Sequence, residues 1–222
     1  MPPITSVWWA ANNCKAWHVS STFHNFRRRV DPYMDKLAEE KLGKEGEAGG
    51  KALLELAQKE HNLPTAEVDF FGEEFDNLIL FVARGGRRQI NNKGELWTSM
   101  VEAFPDAKIL QVEFSADIDY VVQCSLWRRA RLVIGIHGGN LGCSMFLSPG
   151  QGLVEAGFGC KSARKEISMF GAAAVHNGAM YRCAQTTGNM ETGGDVDVDK
   201  AVRDLLEMWG TEKVEELSTW PD

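Results

Sequence analysis

From residue 78 onward, short apolar runs of strand length alternate with amphipathic stretches of helix length. The runs are Leu78-Ile-Leu-Phe-Val-Ala83, Lys108-Ile-Leu-Gln-Val-Glu113, Leu132-Val-Ile-Gly-Ile136, Gly152-Leu-Val-Glu-Ala156 and Met180 to Ala184. Each is continuous enough to predict a strand buried on both faces. Between and after them, Lys93 to Phe104, Ala116 to Ala130, Leu141 to Leu147, Ala163 to Ala173 and Val198 to Trp209 have helical spacing, with Ser115 and Asp197 as N-caps. Strand and helix alternating in this way predict an α/β fold: a doubly wound, mostly parallel, five-stranded Rossmann-like sheet with helices on both faces, because parallel neighbours need crossover connections.

Upstream the pattern changes. Phe23 to Val30 is basic, Pro32 to Leu42 and Lys51 to His61 carry apolar residues at helical spacing, and Gly43, Gly46, Gly49 and Gly50 set an acidic, glycine-rich loop between them. The expected organisation is a helical N-terminal region over 1–77, with its loop at 43–50, and a Rossmann-like domain over 78–222.

Composition narrows the classes. Of 222 residues, 44% are hydrophobic and 25% charged, which is ordinary globular usage and excludes wholesale disorder, collagen and disulfide-scaffold classes. The net charge of −7 disfavours a protein that coats nucleic acid, so an anion site has to be a focused local pocket. No run approaches a membrane-spanning length of roughly 18 apolar residues, and Met1-Pro-Pro-Ile-Thr-Ser lacks the pattern of a secretory signal. The five cysteines are odd in number and contain no Cys-x-x-Cys pair, which predicts buried free thiols.

In a doubly wound sheet, ligands sit beyond the carboxyl ends of the strands, so the loops there carry the candidate chemistry. After the first strand comes Arg84-Gly-Gly-Arg87-Arg88-Gln-Ile-Asn91-Asn92-Lys-Gly-Glu95, with three guanidiniums whose forks match phosphate oxygens. A solvated basic turn is the plainer reading of the same residues. The second strand ends at Glu113, a candidate acceptor for a sugar or substrate hydroxyl or an ordinary surface carboxylate, and Ser115 follows it. The third runs into His137-Gly138-Gly139-Asn140-Leu141, where glycines let backbone approach a ligand and a helix start offers unpaired N–H groups to a diphosphate. His137 there donates to a phosphate, shuttles a proton, or is structural. The fourth places Glu155 inside a buried run, where a ribose diol, a backbone amide or an arginine would satisfy it. The Gly157-Phe-Gly159-Cys-Lys161-Ser162 run has the wrong spacing for a nucleoside-triphosphate loop.

Taken in order, Arg84…Arg87-Arg88-x-x-Asn91…Glu95-Leu96, Glu113-Phe-Ser115, and Ala130-x-Leu-Val-Ile-Gly-x-His137-Gly-Gly-x-Leu141…Phe146-Leu-x-Pro149…Leu-Val-Glu155 resemble glycosyltransferase family 61 over roughly 78–186. Three positions depart from the family's usual pattern: Asn92 stands where it has Glu, and Gly139-Asn140 stand for its Ala-Gly. The resemblance implies a two-lobed GT-B enzyme that transfers a sugar, with inversion, from a nucleotide donor, most simply a UDP-sugar, to a glycan or protein hydroxyl. It implies a Golgi or ER lumen setting and a second lobe, which residues 1–63 are too few to form, so a partner lobe or a homo-oligomer is expected. Under it, His137, Arg88 and Glu113 are the catalytic candidates, and Arg84, Arg87, Asn91, Ser115, Gly138, Gly139, Asn140, Leu141 and Glu155 the substrate-binding ones. The arginines carry the leaving charge, and neither metal nor cofactor is expected. The competing expectation is a catalytically silent nucleotide-sugar or anion-binding module that acts through a partner.

Overall fold

The computed structural model describes residues 77–114, 120–157, 168–189 and 191–210, and the single helical position Lys36. The expected N-terminal helical region, Ser115, and residues 163–167 of the expected fourth helix lie outside the described residues.

The five apolar runs form one all-parallel sheet. Its strands are β1 (Leu78–Ala83), β2 (Lys108–Glu113), β3 (Leu132–Ile136), β4 (Gly152–Gly157) and β5 (Met180–Gln185), in the order β2-β1-β3-β4-β5. β1, β3 and β4 are buried throughout, as interior parallel strands must be, while the edge strands β2 and β5 are partly exposed.

Around the sheet lie α1 (Lys93–Ala103), α2 (Tyr120–Arg129), a 3-10 helix (Gly139–Phe146), α3 (Met169–His176) and α4 (Val198–Trp209). The alternation along each strand sorts the core into two layers. Leu78, Leu80, Val82, Val133 and Leu153 face one side with Trp127 of α2, Leu141 of the 3-10 helix and Phe170 of α3. Ile79, Phe81, Ile134 and Val154 face the other with Leu96 and Met100 of α1 and Leu205 and Met208 of α4. The chain steps from β1 to β2 in one direction and from β2 through β3 and β4 to β5 in the other. With a single crossover hand, that reversal puts α1 on the opposite face from α2, the 3-10 helix and α3.

Local chemistry ends these elements. The Asp197 carboxylate accepts from the Lys200 N–H at 3.0 Å and caps α4, as expected. The Gln151 amide donates to the carbonyls of Arg128 (2.8 Å) and Ala130 (2.5 Å), which closes the carboxyl end of α2. Ser168 caps α3 by accepting from Gly171 N–H at 3.0 Å.

Two expectations need correction. The helix expected over Leu141 to Leu147 is a 3-10 helix over Gly139–Phe146 rather than an α-helix, because Leu141 N–H bonds to the Gly138 carbonyl at 2.9 Å and begins an i to i+3 ladder. The three cysteines among the described residues are not free thiols either. Cys124 of α2 is disulfide-bonded to Cys143 of the 3-10 helix, and Cys183 is disulfide-bonded too. Counting cysteines shows only that one is left over; packing α2 against the 3-10 helix brings this pair's Cα atoms to 5.0 Å.

No helix among the described residues is long and apolar enough to cross a membrane.

Candidate anion site at the switch point of the sheet

The chain reverses its direction of travel between β1 and β3, and in a doubly wound sheet the ligand crevice lies beyond the carboxyl ends of the strands at such a point. Val82 of β1 is in register with Gly135 of β3, so the arginine turn and the His137-Gly138-Gly139 turn leave the sheet side by side. Gly135 is required at this point: a Cβ would come within 2.9 Å of Leu141 and 3.0 Å of the Val82 carbonyl.

The two turns meet at Gly138. A Cβ on this residue would run into the Arg84 guanidinium and lie 3.8 Å from that of Arg88. Both arginines are half-buried, and among the described residues neither has a carboxylate partner. Arg88 adopts a left-handed backbone (φ 60°), rare outside glycine, and with Gly86 (φ 68°) it turns the chain tightly. Arg87 points elsewhere, forming an exposed ion pair with Glu191 at 3.1 Å.

Glu113, at the end of β2, accepts from the Gly85 N–H at 2.7 Å. It therefore ties the arginine turn to the neighbouring strand. The 3-10 helix starts at Gly139, and the N–H groups of Gly139 and Asn140 precede its first internal bond, leaving them as donors at the crevice edge. Asn140 spans the gap through its side-chain amide, which donates to the Ala83 carbonyl at 3.4 Å. Leu141 is wholly buried and anchors the helix in the core.

Glu155 is 1% exposed and has three side-chain partners within the protein. Oε1 meets His137 Nδ1 at 2.5 Å; Oε2 accepts from the Ser168 hydroxyl and from the Tyr181 hydroxyl at 3.0 Å. The His137 side chain is 29% exposed and packs edge-on against Phe170, with ring centroids 5.5 Å apart. Burial, and then the charge of Glu155, push the Tyr181 phenol well above its ordinary range, so it stays protonated.

Asn91 and Asn92 do a different job from that of the arginines. After β5 the chain makes an excursion whose Gly194 pairs with Ile90, the Asn91 N–H donating to the Gly194 carbonyl at 3.0 Å. The Asn92 amide then clasps Val196, donating to its carbonyl at 3.0 Å and accepting from its N–H at 2.9 Å. This loop walls one side of the arginine turn. Asn92→Ala should lower unfolding stability by about 1–3 kcal/mol, since it leaves partly buried backbone groups unpaired; urea unfolding would measure it.

The structure thus brings together Arg84, Arg88, Glu113, Gly138, Gly139, Asn140 and His137, with Glu155 behind His137. Arg87 and Asn91 sit on the outer side of the arginine turn, bonded to the loop after β5, and Ser115 lies outside the described residues. Sequence reasoning missed Ser168, Tyr181 and the clasp at Asn92.

No curated protein matches the chain. The family model described as Glycosyltransferase 61 matches residues 5–154, more than half of the chain. The match crosses the expected boundary at residues 77 and 78 and ends inside β4, so it starts well upstream of the residue-level resemblance. An arginine turn beside a His-Gly-Gly turn at the switch point of a parallel sheet, with a family match that spans both turns, places this chain in the glycosyltransferase 61 family.

Proposed function

We propose that residues 78–222 form the nucleotide-sugar-binding lobe of a GT-B-type transferase. In this reading it moves a sugar from a UDP-sugar, with inversion, to a glycan or protein hydroxyl. The observation that carries the reading is the convergence of Arg84 and Arg88 on Gly138, beside the N–H groups of Gly139 and Asn140, which have no partner among the described residues. Two half-buried guanidiniums that have no carboxylate partner among the described residues, close to backbone donors in a chain of net charge −7, support a focused anion site.

The diphosphate sits against these groups. As the acceptor oxygen attacks the anomeric carbon from the opposite face and gives up its hydroxyl proton to a base, the bond from that carbon to the phosphate oxygen breaks and charge builds on the leaving diphosphate. Preorganised cations and N–H dipoles stabilise that charge without reorganising, which is where electrostatic catalysis contributes most. Glu113 supports the turn through Gly85 N–H. Glu155 was expected at a ribose; its three protein partners favour a different use, holding His137.

Calorimetric titration of the full chain with UDP, followed by an assay of UDP-sugar hydrolysis, tests the reading. Binding with turnover is the expected result. Binding without turnover would favour the silent module, and a folded chain that binds no UDP would exclude both.

A further inference from the structure

We propose that Ser168 and Tyr181 are positioning residues of the crevice: through the Glu155 carboxylate they fix His137 as the tautomer with its proton on Nδ1, leaving Nε2 as the nitrogen that exchanges a proton with bound substrate. Neither residue belongs to the arginine turn or the glycine turn. The role in catalysis rests on the nucleotide-sugar reading; the tautomer does not.

The argument is one of hydrogen counting. A carboxylate only accepts, and a hydroxyl has a single proton to give. Ser168 already accepts from Gly171 N–H at 3.0 Å, and its own proton goes to Glu155 Oε2. Tyr181 keeps its proton and donates it to the same oxygen at 3.0 Å. Oε1 is left facing His137 Nδ1 at 2.5 Å, and an acceptor there requires the imidazole proton to be on Nδ1. Second-side partners of this kind set which ring nitrogen is available for chemistry.

The surrounding packing is built to hold the arrangement. Glu155 lies between Gly135 and Cys183 in the register of the sheet, so its backbone cannot shift alone. Tyr181 lies across the first turn of α3, where a Cβ on Gly171 would sit 2.5 Å from its ring. Phe170 closes the edge of the imidazole.

The test is two-bond nitrogen-proton correlation NMR on the full chain labelled at histidine, with His137→Gln to assign the signal. In the free wild-type protein the neutral imidazole should carry its proton on Nδ1. Glu155→Gln, whose amide can donate to Nδ1, should move the proton to Nε2. Tyr181→Phe combined with Ser168→Ala takes both donors from Oε2 and lets the Glu155 carboxylate turn away from Nδ1, which should mix the two tautomers and weaken UDP binding roughly three- to tenfold, the scale of one or two lost hydrogen bonds. A proton on Nε2 in the wild-type protein overturns the proposal and needs no variant. So does a folded double variant with unchanged tautomer and unchanged UDP affinity. Because the tautomer is read without nucleotide, a failure of UDP to bind removes the nucleotide-sugar reading while leaving this assignment to stand or fall on the spectrum.

Discussion

Replacing Arg84 or Arg88 by alanine should weaken UDP binding by about tenfold to a hundredfold for each residue, because each guanidinium makes charge-assisted hydrogen bonds worth about 1.5–3 kcal/mol. The two losses need not add. Both side chains close on Gly138, and residues that share a ligand group are coupled, so the double variant measures whether the second arginine compensates for the first. Arg87→Ala provides the contrast. Its partner is Glu191, both side chains are well exposed, and surface pairs of this sort contribute about 0–1 kcal/mol. Three arginines in one turn are therefore expected to divide two against one, which a merely basic loop would not do. Gly138→Ala should imitate the loss of Arg84 with every charge retained, since the added Cβ would occupy the space that the guanidinium uses. Calorimetry on the four single variants and the double variant, with far-UV circular dichroism to verify folding, decides the matter. Equal effects from Arg84, Arg87 and Arg88 would mean that the anion is held by diffuse charge, and the proposed diphosphate site would be abandoned.

The parts of this protein that the sequence exposes are those set by local periodicity. Leu78 to Ala83 and Leu132 to Ile136 are strands over the expected residues, because a strand buried on both faces has to be continuously apolar, and Lys108 to Glu113 is a strand over its expected residues although, at the sheet edge, it is buried only in its middle. Val198 to Trp209 and its Asp197 cap are equally local, a carboxylate three residues ahead of a free N–H. That the arginine turn and the His137-Gly138-Gly139 turn leave neighbouring strands was legible only in part, since the strand ends can be read from the sequence but the pairing of β1 with β3 cannot.

What escaped depends on contacts that periodicity does not encode. Ser168 and Tyr181 are 13 and 26 residues from Glu155, and they reach it only once α3 is capped and β5 has paired with β4. Each is an unremarkable polar residue in its own segment. The signal available was Glu155 itself: a carboxylate inside an apolar run must find donors, although the sequence does not name them. Asn92 is similar. In the sequence it is only a departure from the family's Glu, whereas its amide matches the backbone of Val196 in the loop after β5, 104 residues away. The 3-10 form of the Gly139–Phe146 segment was hidden because eight apolar and small residues fit either helix, and the choice was made by the Leu141 bond to Gly138.

Loss of the Cys124–Cys143 disulfide should reduce unfolding stability by about 3 kcal/mol, the chain-entropy value for a closed loop of this size. The two residues are 19 apart in sequence, and both are buried in the layer that holds Leu141 and Trp127. In a domain of this size the loss corresponds to a fall in Tm of roughly 6–12 °C. Disulfides form and persist in oxidising compartments, so chain produced in a reducing cytosol should lose this stabilisation as well. Stability is only part of the expected result. Cys143 lies in the 3-10 helix whose first turn offers the N–H groups of Gly139 and Asn140, so the bond fixes the donors of the anion site to α2. Freed from α2, that helix should hold UDP more weakly even at temperatures where the domain stays folded, whereas the Arg87→Ala protein should not. Thermal unfolding and UDP titration on the double cysteine variant separate the two effects. An unchanged Tm would show that the unfolded chain is not constrained by this bond, and a lowered Tm with wild-type UDP affinity would show that the 3-10 helix is held in place by Leu141 and its core neighbours alone.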